Sequence, residues 1–229
     1  LCAPHITPEE GNALVRMLAN YAIYKTRNGH NSYKRLVTDI YKMGDHFECL
    51  ILRGSIEPSL FINVSVDAAI NKDFAFARYF LNKYEKFLPK EEAENAVRLS
   101  WAYVYFHEGK FRKAFDLLAN HETGNMHYQL RIRGLILRSL YFLIDQDPDL
   151  EDVFDAKAQN FQTYLSRDGI VDIDKKQMYR NFARRMIDLV HLRYSGRPLS
   201  SDAKSSFLQK VAEKPPALKS WLVEQLSRL

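Results

Sequence analysis

The chain is poor in cysteine: its 229 residues hold only Cys2 and Cys49, too few for a disulfide framework and at no metal or redox spacing. That scarcity predicts a reducing, cytoplasmic compartment. No apolar run reaches the roughly 18 residues needed to cross a bilayer, which excludes a helical membrane span. The first residues, LCAPHITPEE, lack a basic region followed by an apolar core, so no signal peptide is visible. Because residue 1 is Leu rather than Met, the chain is expected to be a processed product or an excised fragment from which a leader could have been lost.

Helix breakers are also few. Nine Gly and eight Pro fall mostly between periodic apolar stretches rather than within them, and no stretch shows sustained period-2 alternation, so strands are not expected. What is present is one helix signal after another. Thr7-Pro8-Glu9-Glu10 combines a cap residue, a Pro at the first helical position and a Glu three beyond the cap. An apolar stripe, Leu14, Met17, Leu18 and Tyr21, then runs to about Thr26. RNGHN (27–31) reads as a turn, a second helix spans about 32–43, and a short helix is expected around Phe47–Leu52 before Gly54. Pro58 opens the next helix, Asp73 caps another and Pro89 ends it. Further helices are expected near 90–108, 111–121, 127–144, 150–166, 173–194, 201–212 and 216–228. The short connections make neighbouring helices antiparallel hairpins. The class is all-α.

Two of these helices share a pattern. Phe74, Ala77 and Leu81 recur 37 residues on as Phe111, Ala114 and Leu118. Pro89 falls 12 residues after Ala77, and in the second unit Trp101, Ala102 and Tyr105 precede the turn at Gly109. The physical logic is close packing: small residues let two helix backbones approach, and aromatics fill the flanking spaces. In these residues the stretch 58–125 resembles two tetratricopeptide repeats, at a spacing slightly longer than the consensus of about 34 residues. The flanks, MLANYAIYKTRNGHNSYKRLVTDIYKMG and RIRGLILRSLYFLIDQDPDLEDVFDAKAQNFQTYL, match only as helix pairs.

The stretches FLNKYEKFLPKEEAENAVRLSWAYVYFHEGKFRKAFDLL, RIRGLILRSLYFLI and FQTYLSRDGIVD with the helix after it also look like the C-terminal part of large bacterial helical-repeat proteins. That resemblance implies a fold and no known activity, and it places Trp221, Leu222 and Leu229 near a natural C-terminus. The expected architecture is a right-handed α-α superhelix of antiparallel hairpins. Its parts would be N-terminal hairpins (1–57), two tetratricopeptide-like repeats (58–125), a degenerate repeat with a basic helix (126–195) and a C-terminal cap (196–229), as one continuous domain. The alternative is an irregular helical bundle.

Chemical motifs are sparse. His107-Glu108 has no second His four residues on, so it is not a zinc-protease helix. His121 and His127 only flank a turn, and there is no glycine-rich phosphate loop or nucleophile elbow. DQDPDLED (145–152) would need Gly and Glu where Leu150 and Ala156 stand to hold calcium, and reads instead as a linker whose carboxylates cap the next helix. No metal or cofactor is expected, and the chain is expected not to be an enzyme.

Two binding surfaces remain. In the repeat reading the first helix of each pair lines a concave face, where Leu99, Tyr103, Phe106 and His107 would form a protein-binding groove or pack on the next repeat. In KKQMYRNFARRMIDLVHLRY (175–194), Met178, Phe182, Met186 and Leu189 cluster on one side of the helix. Lys176, Arg180, Arg184 and His191 form a basic stripe away from that side. Between 175 and 197 there are seven Lys/Arg against one acid, Asp188, whereas the whole chain carries +5. Such a stripe suits a solvated face, neutralisation of the acidic linker, an acidic protein partner or nucleic acid. The function expected is a non-catalytic scaffold that binds a protein partner or another part of its own chain, with nucleic-acid binding through the basic helix as the alternative.

Overall fold

The computed structural model describes residues 6–166, 173–196 and 199–229; Cys2, Arg197 and the 167–172 part of FQTYLSRDGIVD lie outside them. The described residues form eleven α-helices and no strand, divided into two compact units, Leu1–Leu117 and Leu118–Leu229.

In the first unit, α1 (Pro8–Arg27) begins on the expected capping box. The Glu10 N–H donates to Thr7 Oγ1 at 3.2 Å and the Thr7 N–H to Glu10 Oε2 at 2.8 Å, so the helix starts with two of its orphan donors satisfied. Next come α2 (Tyr33–His46), α3 (Pro58–Ile70), α4 (Phe74–Tyr84) with a 3-10 turn at Glu85–Phe87, α5 (Lys90–His107) and α6 (Phe111–Leu118). Asp73 caps α4 by accepting from the Phe76 N–H at 3.2 Å. The turn before α6 needs a left-handed residue, and Gly109 supplies it at φ +78°.

Packing runs α1 on α2, α2 on α3, and α3 on both its hairpin partner α4 and the next first helix, α5. Ala77, Ala102 and Ala114 are fully buried, where small side chains allow helix backbones to approach. The unit boundary falls within α6.

Two features of this unit differ from the sequence reading. No helix forms over Phe47–Leu52. Instead Leu52 and Ser55 exchange backbone hydrogen bonds at 2.9 and 3.0 Å, and Glu48, Arg53 and Gly54 take positive φ. The backbone groups a helix would use are drawn elsewhere: Cys49 O accepts from Asn12 Nδ2 at 2.8 Å, and the Ile56 N–H donates to Phe87 O at 2.9 Å.

The second difference is the face of α1. Its packing side is Asn12, Val15, Ala19 and Ala22, while Leu14, Met17, Leu18, Tyr21 and Tyr24 stay 39–62% exposed. Close approach selects the small residues. A Cβ on Gly44 of α2 would lie 3.2 Å from both Val15 methyls and 2.6 Å from Leu50 Cδ2, a space that the larger stripe residues cannot enter.

The second unit holds α7 (Met126–Leu143), α8 (Leu150–Ser166), α9 (Ile173–Tyr194), α10 (Ser201–Glu213) and α11 (Lys219–Ser227). α7, α8 and α9 pack mutually, and α10 and α11 close on α9. Of the apolar side expected for α9, Phe182, Met186 and Leu189 are buried but Met178 is 44% exposed; its carbonyl accepts from the Ala217 N–H at 2.9 Å. No described helix is long and apolar enough to cross a membrane.

Candidate interaction surfaces

The groove set on α5 is brought together, but inward. Leu99, Tyr103 and Phe106 are buried and His107 is half-buried. Tyr103 and His107 stack at 6.5 Å, Phe106 meets His107 edge-on at 5.3 Å, and Phe106 meets Phe111 at 5.4 Å. These rings lock the α5–α6 turn. Glu108 reinforces it: its nearly buried carboxylate pairs with Arg78 of α4 and, at 2.9 Å, with Lys110.

The basic stripe is divided by the fold. Arg180 Nη2 donates to Leu165 O at 3.0 Å, satisfying a carbonyl in the last turn of α8, where a cation is favoured. Lys176 is half-buried, whereas Arg184 and His191 are exposed. Other cations of the helix are engaged too. Arg185 pairs with Asp188 at 3.0 Å, and Lys175 Nζ lies 3.0 Å from His127 Nδ1.

Arg193 pairs with Asp145 at 2.5 Å, donates to Tyr141 O at 3.3 Å and covers the Tyr141 ring at 4.4 Å. Tyr194 donates to the other oxygen of Asp145 at 2.6 Å. Part of this helix therefore neutralises the acidic linker. A small cleft of about 190 Å³ remains between α9 and α10, lined by Asn181, Arg184, Arg185, Lys210, Glu213 and Lys214.

A larger cavity, about 540 Å³, lies in the first unit against Ile51, Leu52, Lys83, Tyr84, Lys86 and Phe87. Beside it is a polar cluster that no local signal reveals, because Asp45 lies 34 to 39 residues from Tyr79, Lys83 and Tyr84. Asp45 Oδ1 accepts from Lys83 Nζ and from the Tyr84 hydroxyl, both at 2.8 Å, and Lys83 donates to the Tyr79 hydroxyl at 3.0 Å. The hydrogen bond to Asp45 holds the Lys83 ammonium well above the usual lysine range. Burial, then the same carboxylate, raises the Tyr84 hydroxyl, so both groups stay protonated and bind rather than react. Among the described residues no three His, Cys, Asp or Glu side chains converge as metal ligands.

A row of exposed apolar side chains on α1 is legible in the sequence as a stripe but not as a surface. Leu14, Met17, Leu18, Tyr21 and Tyr24 occur at three- and four-residue steps along α1 and face outward. Lys25 extends the stripe, its ammonium 5.5 Å from the Tyr21 ring centre, and Tyr21 meets Tyr33 of α2 edge-on at 6.0 Å. No family model, curated protein or solved structure matches the chain.

Proposed function

We propose that the chain is a non-catalytic helical-repeat scaffold, a right-handed superhelix of tetratricopeptide-like hairpins, that docks another protein surface along α1. The observation that carries this reading is the outward stripe Leu14, Met17, Leu18, Tyr21 and Tyr24. An apolar patch at the upper end of the few hundred Å² that a folded monomer exposes is often functional, and Tyr and Met are enriched at interfaces. Among the described residues only α2 packs extensively on α1, and because stacked hairpins contact only their neighbours, its other face is open to a further element. The titratable clusters support a scaffold as well, since Asp45, Lys83 and Tyr84 are committed to bonds between helices and Asp145 and Arg193 to a bond between linker and helix. The reading places the protein in the cytoplasm, which suits the buried thiol of Cys49.

The test is affinity capture of the intact protein from its native cells, with and without Met17→Glu. The substitution is expected to remove a bound protein from the captured set. An identical set with both forms overturns the reading.

The cleft between α9 and α10 favours a second reading, nucleic-acid binding, because Arg184, Lys210 and Lys214 converge there. Charge reversal at Arg184 and Lys210 would then weaken low-salt retention of nucleic acid on filters, with a salt slope shallower by about 2 or more. Absence of retention of the unaltered chain refutes it.

A further inference from the structure

We propose that the occupant of the α1 stripe is a second copy of this chain, its α1 antiparallel to the first about a two-fold axis between Met17 and Leu18. This rests on the docking reading above and names the partner.

The stripe has a symmetry that a foreign partner would not require. At 100° per residue, Leu14, Met17, Leu18, Tyr21 and Tyr24 fall within an arc of about 120°, opposite Val15, Ala19 and Ala22. Glu10 and Lys25 fall within the same arc, one at each end. Glu10 is exposed, and its Oε2 accepts from the Thr7 N–H at 2.8 Å and from the Thr7 hydroxyl at 3.0 Å.

In an antiparallel pair centred between residues 17 and 18, Met17 faces Leu18 of the second copy, Leu14 faces Tyr21 and Glu10 faces Lys25. Each contact occurs twice, as an isologous interface demands. Apolar groups meet apolar groups along the middle, and acid meets base at both ends. A parallel pair sets Glu10 against Glu10 and Lys25 against Lys25, where like charges oppose association.

The size is also informative. From their fractional exposures, the five side chains present roughly 500 Å², at the upper end of the patch a monomer carries. Burying that area on both copies gives about 1,000 Å² in total, the range of weak and transient interfaces. The dimer is therefore expected to be weak and concentration-dependent, to be sought over a range of about 10 μM to 1 mM.

Sedimentation equilibrium on the purified full chain tests this. The unaltered protein is expected to shift from monomer to dimer over that range. Met17→Glu, at a side chain 61% exposed and therefore tolerated by the fold, weakens the dimer at least about a hundredfold. Lys25→Glu weakens it about tenfold, and Glu10→Lys with Lys25→Glu restores it. Direction is read by disulfide formation in a mixture of Leu14→Cys and Tyr21→Cys chains. Cross-links between the two variants are expected, and links of each variant to itself overturn the antiparallel register.

A chain that remains monomeric at about 1 mM, or a dimer that survives Met17→Glu, overturns the proposal. The docking reading is judged separately: if the purified chain is monomeric but Met17→Glu still removes a captured protein, only the second copy is eliminated.

Discussion

Removing the Asp45 carboxylate has a cost that can be worked from its partners. Asp45→Ala leaves the Tyr84 hydroxyl without its 2.8 Å acceptor in a residue only 1% exposed, a loss of about 1–3 kcal/mol. Lys83 loses a pair that is partly solvated, worth about 1 kcal/mol or less. Two smaller effects oppose these, because Ala is the better helix former and the substitution removes an anion from the last turn of α2. Together they return about 1 kcal/mol, so the net destabilisation is about 2 kcal/mol.

Tyr84→Phe removes the hydroxyl itself and costs about 1 kcal/mol. The double variant should cost about 1 kcal/mol less than the sum, because a hydroxyl that is absent cannot be left unsatisfied. Urea unfolding is the assay. A Trp221→Phe background leaves Trp101, in the first unit, as the remaining tryptophan reporter. Additivity within about 0.3 kcal/mol would refute the coupling and with it the view that Asp45 satisfies Tyr84.

Asp73 gives a pH dependence of definite sign. Its bond to Lys42, then the Phe76 N–H, hold its folded pKa below the ordinary 3.8, so its stabilising contribution is present above 3.8 and lost as pH falls through the folded value. Asp73→Asn keeps a cap and should flatten the acid limb of an unfolding titration of the first unit. Ala114→Leu, at a fully buried position, is expected to destabilise by about 1–3 kcal/mol or more through overpacking, measured by the same Trp101 transition. On α9, Met178→Asp should change stability by less than about 0.5 kcal/mol whereas Met186→Asp should cost more than about 3; circular-dichroism melts separate the two.

What could be read in the sequence was local. The capping box at Thr7 and Glu10, the Asp73 cap and the Gly109 turn depend on residues within a few positions, and the small residues Ala77, Ala102 and Ala114 mark close helix approach wherever it occurs. Periodicity shows that a helix has an apolar side without saying what meets it. On α1 the stripe with the larger side chains faces outward because Val15 fits against Gly44, with Ala19 and Ala22 on the same buried side, and the stripe does not. The helix expected over Phe47–Leu52 does not form for a related reason: the groups that hold this stretch and the residues after it, Asn12 and Phe87, are 37 and 31 residues from Cys49 and Ile56. Charge on α9 was visible, but Arg180 and Arg193 are engaged by Leu165 and Asp145 on other elements, a long-range fact that one helix cannot encode.

The seat of Cys49 has a consequence for measurement. Its thiol points to Gly44 O at 3.5 Å, its carbonyl is tied to Asn12, and a Cβ on Gly11 would sit 2.9 Å from its own Cβ. A reagent reaches the sulfur only when α1 lifts from α2 or the whole unit opens. Under conditions where reclosing outpaces reaction, the labelling rate of Cys49 is therefore a gauge of the opening equilibrium of the N-terminal hairpin. Anything that clamps the outer side of α1 should slow that clock without touching the cysteine.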